Sequence, residues 1–302
     1  MVDGECDADI DERVTAQLYD RGALRVGDRV LPWGVRTYVM GIINATPDSF
    51  SGDGLTTPEG VAALARAHLG AGADILDVGG ESTRPGHAPI DEATERARLL
   101  PALDAIRAVA PDAIISVDTF KAGLYAQAHA HGGNLLNSIW GARPDLVEVC
   151  VQTGSPIIVM HNKAVPVYER DDVVDEVLAF LDDAANRCVL AGIPAQHVIV
   201  DPGIGFGKLA EHNLALLAAL DRLVALGFPT LLGTSRKRTI GKLTGRDVEA
   251  REFGTAATVA LAAAAKVDIV RVHDVAEQRD VVHVADAIVR GWRPEGWSEE
   301  LR

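Results

Sequence analysis

Cysteine is scarce in this 302-residue chain: there are three, Cys6, Cys150 and Cys188, widely spaced and odd in number. That argues against a disulfide framework and points to a reducing compartment. Basic charge is also short, with 29 Lys and Arg against 43 Asp and Glu, a net charge of −14. Such a chain is a poor nucleic-acid binder, because phosphate-backbone affinity depends on many Lys and Arg contacts. No apolar run reaches the ~18–20 residues of a membrane span. The N-terminus, MVDGECDADIDER, is acidic and does not read as a secretory signal. A Pro/Ser-rich linker, a low-complexity tract and an internal repeat are all missing. One domain is therefore expected, in a soluble cytoplasmic protein that engages neither nucleic acid nor membrane.

What is present is a rhythm. A hydrophobic fraction of 48% suffices for one large core, and 29 glycines suit a fold with many tight turns. Eight short apolar runs each lead into a polar residue: YVMGII into Asn44, DILDVGG into Glu81, AIISV into Asp118, NLL into Asn137, IIVM into His161, VIV into Asp201, TLLGT into Ser235 and DIVRV into His273. Stretches of helical character follow at about 58–70, 91–109, 121–132, 144–153, 171–191, 212–226, 250–265 and 275–290. In the fifth, Val174, Val177, Leu178, Leu181 and Cys188 share one face, with Asp175, Asp182 and Asp183 towards the other. Eight strand–helix units predict an α/β fold, a (β/α)8 TIM barrel, whose chemistry sits at the C-terminal ends of the strands. The boundaries read as a flexible leader over 1–22, a β-hairpin over 23–37 closing the barrel floor, the barrel over 38–291 and a tail over 292–302.

The strand exits are then the residues to read. Asn44 opens a long glycine-containing loop, a candidate lid, and its oxygen suits a hard cation. Arg84, on a Pro-Gly-flanked loop, offers a fork to phosphate or carboxylate. Asp118 is either a site carboxylate or a helix N-cap, and Asn137 is either a ligand or a turn residue; sharing a pocket with Asp201 would decide both. The run from Asp201 to Lys208 is not a nucleotide P-loop, since its glycines alternate and Leu209 follows the lysine. It reads as a glycine turn displaying Asp201 and Phe206. Arg84, Lys237, Arg238 and Arg271 concentrate positive charge at one end of an acidic protein. Residues 271 and 273 point the same way in a strand, so Arg271 and His273 are expected as one cationic pair.

The strings MGIINATPDSFSGDG, DVGGESTRPG, ISVDT, NLLNSIWG, VMHN, DPGIGFGK, GTSRK and RVHDV, in this order over residues 38–275, resemble the dihydropteroate synthases of folate biosynthesis. The resemblance implies a transferase that joins 6-hydroxymethyl-7,8-dihydropterin pyrophosphate to para-aminobenzoate, forming a C–N bond with loss of pyrophosphate. It implies Mg²⁺ held at Asn44, small-molecule substrates as partners, and a homodimer formed through helices on the barrel wall. Asp201 would take the pterin edge, Lys237 its carbonyl, Asp118 and Asn137 the remaining ring nitrogens, and Met160 the ring face. Arg84, Arg271 and His273 would grip the phosphates, while Thr83, Pro85, Phe50, Phe206 and the helix start at Arg238 would frame the aminobenzoate. Asp118, Asp201, Lys237, Arg271 and His273 form the expected catalytic set of an SN1-like reaction.

Two departures from the family pattern stand out. Ala164 lies where many members carry Gly, and Arg238 where many carry Ser. A methyltetrahydrofolate-binding methyltransferase would share the pterin-binding barrel but leaves the pyrophosphate grip and the first two loops without a role. A non-catalytic pterin-binding paralogue is expected to have lost some of Asn44, Arg84, Lys237, Arg271 and His273, all of which are present.

Overall fold

The computed structural model of the chain describes residues 21–46, 57–81, 89–168 and 173–298. Two short strands, β1 (Ala23–Val26) and β2 (Arg29–Pro32), pair antiparallel as a hairpin. Eight further strands follow: β3 (Tyr38–Asn44), β4 (Ile75–Gly79), β5 (Ile114–Asp118), β6 (Leu135–Ser138), β7 (Ile157–Met160), β8 (Val198–Asp201), β9 (Leu231–Leu232) and β10 (Ile269–Val272). They form one sheet in the order β8-β7-β6-β5-β4-β3-β10-β9, every pair parallel. A bridge between Val200 and Thr230 closes it into a (β/α)8 barrel. β9 keeps only two paired residues, so the β8–β9 seam is the thinnest part of the wall.

Helices α1 (Pro58–Gly70), α2 (Glu92–Val109), α3 (Ala122–Ala130), α4 (Pro144–Thr153) and α5 (Val173–Leu190) cover the outside of the first half. The second half is covered by α6 (Ala210–Ala218), α7 (Leu220–Val224), α8 (Arg238–Thr244), α9 (Glu252–Ala264) and α10 (Val275–Val289). The single helix expected over 212–226 breaks at Ala219, whose backbone (φ −117, ψ 30) leaves the helical region. In α5 the predicted apolar face is buried, Cys188 included, so its thiol packs in the core.

Strand alternation places the site. In a strand, residues two apart face the same side. The inward position nearest the floor is Met40, Ile75, Ile114, Leu135, Ile158, Ile199, Leu231 and Ile269, which pack with Leu24, Val26, Leu31 and Trp33 of the hairpin region. Two residues further along the strands, the inward positions of β4, β5, β6, β8 and β10 become Asp77, Ser116, Asn137, Asp201 and Arg271. The barrel interior is therefore apolar at its floor and polar at its mouth.

Candidate active site

Arg271 of β10 is the hub of the mouth. Its Nε donates to Asp77 Oδ2 at 2.6 Å and its terminal nitrogen reaches Asp118 Oδ2 at 3.3 Å. The other Asp77 oxygen accepts from Ser116 Oγ at 2.6 Å and from Asn137 Nδ2 at 3.2 Å. Asp77 is thus a fully buried carboxylate whose two oxygens organise three neighbours. Oδ1 of Asp118, by contrast, is buried and has no hydrogen-bond partner among the described residues. Burial, and then the nearby charge of Asp77, push the Asp118 carboxyl up to about 7, with Arg271 opposing. The N-cap of α3 is Lys121, so Asp118 does not serve as a helix cap.

Asp201 ends β8 and enters the glycine turn. One of its oxygens accepts the Gly203 N–H at 2.7 Å. Burial raises its pKa, while Lys237 works in the opposite direction. The turn needs glycine where backbones touch: a Cβ on Gly203 would lie 2.0 Å from the His161 carbonyl, and one on Gly207 2.1 Å from that of Lys163. Both also have left-handed φ, 69° and 58°.

Lys237 reaches the same place from the neighbouring loop after β9, across the β8–β9 seam. The residue before it, Arg236, has a left-handed φ of 58°, costly for a side-chain-bearing residue. That bend is held by Thr255 on the Arg236 N–H at 3.2 Å, by Arg251 on its carbonyl at 2.9 Å, and by Asp274 on its guanidinium at 2.6 Å. The chain is thereby turned so that the Lys237 ammonium donates to the Ile204 carbonyl and lies 4.7 Å from the centre of the Phe206 ring. Burial pushes Lys237 down to about 8, with Asp201 opposing. Arg238 begins α8 and is exposed.

Of the residues picked from the sequence, Asp118, Asn137, Met160, Asp201, Lys237 and Arg271 converge on the barrel mouth, and Phe206 joins them through Lys237. Asn44 ends β3, and its side chain makes no hydrogen bond to another described residue. Arg271 and His273 stand two residues apart at the end of β10. Arg271 is held by Asp77 and Asp118, whereas His273 lies beyond the end of β10 with its Nδ1 at 2.9 Å from Ser235 Oγ. Phe50, Thr83, Arg84 and Pro85 lie outside the described residues.

Reading strand exits alone missed three groups. In β4 the residue that reaches the mouth is Asp77, in mid-strand; Glu81 turns away and binds Lys121 at 2.5 Å and the Ile90 N–H at 3.1 Å. Ser116 likewise lies in mid-strand, and in the sequence Lys208 reads only as part of the glycine run. A charged residue two places on from Ile75 in an apolar strand was the available signal.

The mouth therefore offers three buried carboxylates, of which Asp118 carries an unpartnered oxygen, with an amide and two cations, over an apolar floor. That set suits a flat polar heterocycle presenting both N–H groups and a carbonyl. The sequence profile of the family described as Pterin binding enzyme matches residues 40–273. A dihydropteroate synthase of Clostridium beijerinckii is 41% identical over 271 residues, covering 88% of this chain and all of the relative. The structure of Xanthomonas albilineans dihydropteroate synthase with 4-aminobenzoic acid superimposes with a TM-score of 0.82 at 40% identity, covering 88% of this chain and 97% of that one. The Thermus thermophilus dihydropteroate synthase in complex with 6HMPPP gives 0.78 at 41% identity, covering 88% and 99%.

Proposed function

The chain belongs to the dihydropteroate synthase family of pterin-binding enzymes, and from that premise we propose how its barrel mouth carries the family's reaction. The enzyme is a transferase of small-molecule substrates: it condenses 6-hydroxymethyl-7,8-dihydropterin pyrophosphate with para-aminobenzoate to give 7,8-dihydropteroate and pyrophosphate. The observation that carries the assignment of residues is the unpartnered Oδ1 of Asp118. A buried acceptor left unpaired costs ~1–3 kcal/mol, and a ring N–H of the pterin relieves it. Asp201 then accepts the amino group and adjacent N–H of the pterin edge. Asn137, its amide nitrogen already given to Asp77, accepts through oxygen. Lys237 exchanges the Ile204 carbonyl for the pterin carbonyl, and Met160 packs on the ring.

An aryl amine is a weak nucleophile, so the C–O bond to pyrophosphate breaks before the C–N bond forms. The dihydropterin ring delocalises the methylene cation that results. Asp118 and Asp201 supply negative potential beside it, and Arg271 and His273, with Arg84, stabilise the departing charge. The amine of para-aminobenzoate then attacks the cation and releases a proton. Thr83, Pro85, Phe50, Phe206 and the start of α8 at Arg238 frame that second substrate; the first three enter on the resemblance of their motifs.

A magnesium ion fits the donor set at Asn44: a single amide oxygen free of other described partners, to be completed by pyrophosphate oxygens and water. Mg²⁺ bound there would neutralise charge on the leaving pyrophosphate. The same reading includes a homodimer. Among the thirteen residues of α9 only Glu252 is charged, and a helix apolar all round is normally buried. Thr255, Val259, Ala262 and Ala263 face the barrel, but Phe253 is 92% exposed, with Leu261, Val284 and Ile288 of α9 and α10 also exposed. A second copy covering this face would bury them. The buried free thiols of Cys150 and Cys188 suit a cytoplasmic location. No helix among the described residues is long and apolar enough to cross a membrane.

Asp201→Asn tests the assignment. The amide presents an NH₂ where the pterin edge also donates, so calorimetric titration with a pterin fragment should show at least a tenfold loss of affinity. Unchanged affinity in a folded variant removes Asp201 from the site.

A further inference from the structure

Lys208 is itself assigned no contact with substrate, yet its surroundings are specific. Its ammonium has three N–H bonds and three acceptors: His161 Nδ1 at 2.9 Å, the His161 carbonyl at 3.2 Å and the Phe206 carbonyl at 3.1 Å. An ammonium has no further donors, so the group is saturated. His161 is almost fully buried at the exit of β7, its ring edge-on to Phe180 at 4.9 Å. With Nδ1 accepting from Lys208, the imidazole is neutral and carries its proton on Nε2; burial first, and then the lysine charge, push it down to about 3.

These bonds join two backbones already in contact. The β7 exit lies against the glycine turn so closely that no Cβ fits at Gly203 or Gly207. The turn in its place supplies the Gly203 N–H to Asp201, the Ile204 carbonyl to Lys237 and the Phe206 ring beneath the Lys237 ammonium. We propose that Lys208 is a positioning residue of the pterin site, clamping the glycine turn to the exit of β7 so that Asp201 and Lys237 meet the pterin edge in register. Loss of the clamp leaves the turn tethered by Tyr168 on the Gly207 carbonyl at 2.9 Å and by Asn213 on the Gly205 N–H at 2.8 Å. A variant at this position should therefore fold, with the turn free to shift. Displacements of about 1 Å at a site of this kind are costly in rate and affinity.

The proposal rests on the reading of the mouth as a pterin site, and the experiment separates the two. Lys208→Met keeps the length of the side chain and removes its donors. Titration with 6-hydroxymethylpterin should show roughly tenfold weaker binding than to the parent enzyme. Steady-state kinetics should show KM for the pterin pyrophosphate rising by a similar factor, with a smaller fall in kcat. Lys208→Arg, which restores charge and donors, should recover part of the loss. A purely structural role would lower the melting temperature and leave fragment affinity and KM within twofold of the parent, which would overturn the proposal. Should Lys208→Met fail to fold, His161→Phe keeps the ring packing and removes the side-chain acceptor; it is expected to weaken fragment binding, and unchanged binding overturns the clamp. Absence of fragment binding to the parent enzyme would instead refute the pterin reading.

Discussion

Asp77→Asn is the substitution that most directly probes how the mouth is held. Asp77 is fully buried and its two oxygens accept from Arg271, Ser116 and Asn137. The asparagine keeps the shape but has one acceptor oxygen, so its NH₂ must face either the guanidinium or the Ser116 and Asn137 donors. Removing one partner of a buried ion pair costs ~3–5 kcal/mol. Here the Arg271 side chain keeps 23% exposure and a second carboxylate, Asp118, at 3.3 Å. The loss should therefore fall below that range, at ~2–3 kcal/mol by urea denaturation. The second consequence concerns Asp118. Its folded pKa, about 7, lies above the ordinary 3.8. The stability tied to that carboxyl is thus fully present below about pH 4 and is lost as pH rises through about 7 in the unliganded enzyme. Without the charge of Asp77, burial and the smaller contributions of Glu95 and Glu81 still hold the value up, but less far, and the loss should move to lower pH. Carbon-detected NMR of the labelled aspartate carboxyls would follow this titration. A change in stability under ~0.5 kcal/mol, together with an unmoved Asp118 titration, would refute the account of Asp77 as organiser.

Three further outcomes are expected. kcat/KM for the pterin pyrophosphate should be bell-shaped, falling below about pH 7 as Asp118 protonates and above about pH 8 as Lys237 deprotonates; a flat profile from pH 6 to 9 would contradict both roles. Arg238→Ser should raise the para-aminobenzoate KM only a few-fold, with the effect fading in salt, because an exposed charge contact is worth ~0.2–1 kcal/mol. Lost turnover at saturating para-aminobenzoate would place Arg238 against the substrate itself. Phe253→Glu combined with Leu261→Glu should give monomers by sedimentation, whereas an unchanged sedimentation coefficient would move the interface elsewhere.

The barrel was legible because eight apolar runs alternate with helical stretches, a pattern set by burial on both faces of a parallel sheet. The helical stretches expected at about 58–70 and 144–153 match α1 and α4, where Thr57 caps the first and Gly154 ends the second. The break at Ala219 lies in an unbroken Ala/Leu stretch that offers no such signal. Within the site, residues at strand ends were visible as polar punctuation. Asp77 and Ser116 were not, because they lie inside apolar runs and only the strand register shows which way they face. The role of Lys208 was illegible for another reason: its three acceptors are an imidazole and two carbonyls brought together by the turn of the backbone.

The central claim is tested most directly by coupled measurement of pyrophosphate and dihydropteroate with the purified protein, Mg²⁺ and the pterin pyrophosphate, with and without para-aminobenzoate. The account predicts that pyrophosphate release depends on para-aminobenzoate and matches dihydropteroate one for one. Tight pterin binding with no product, or pyrophosphate release indifferent to para-aminobenzoate, would contradict it.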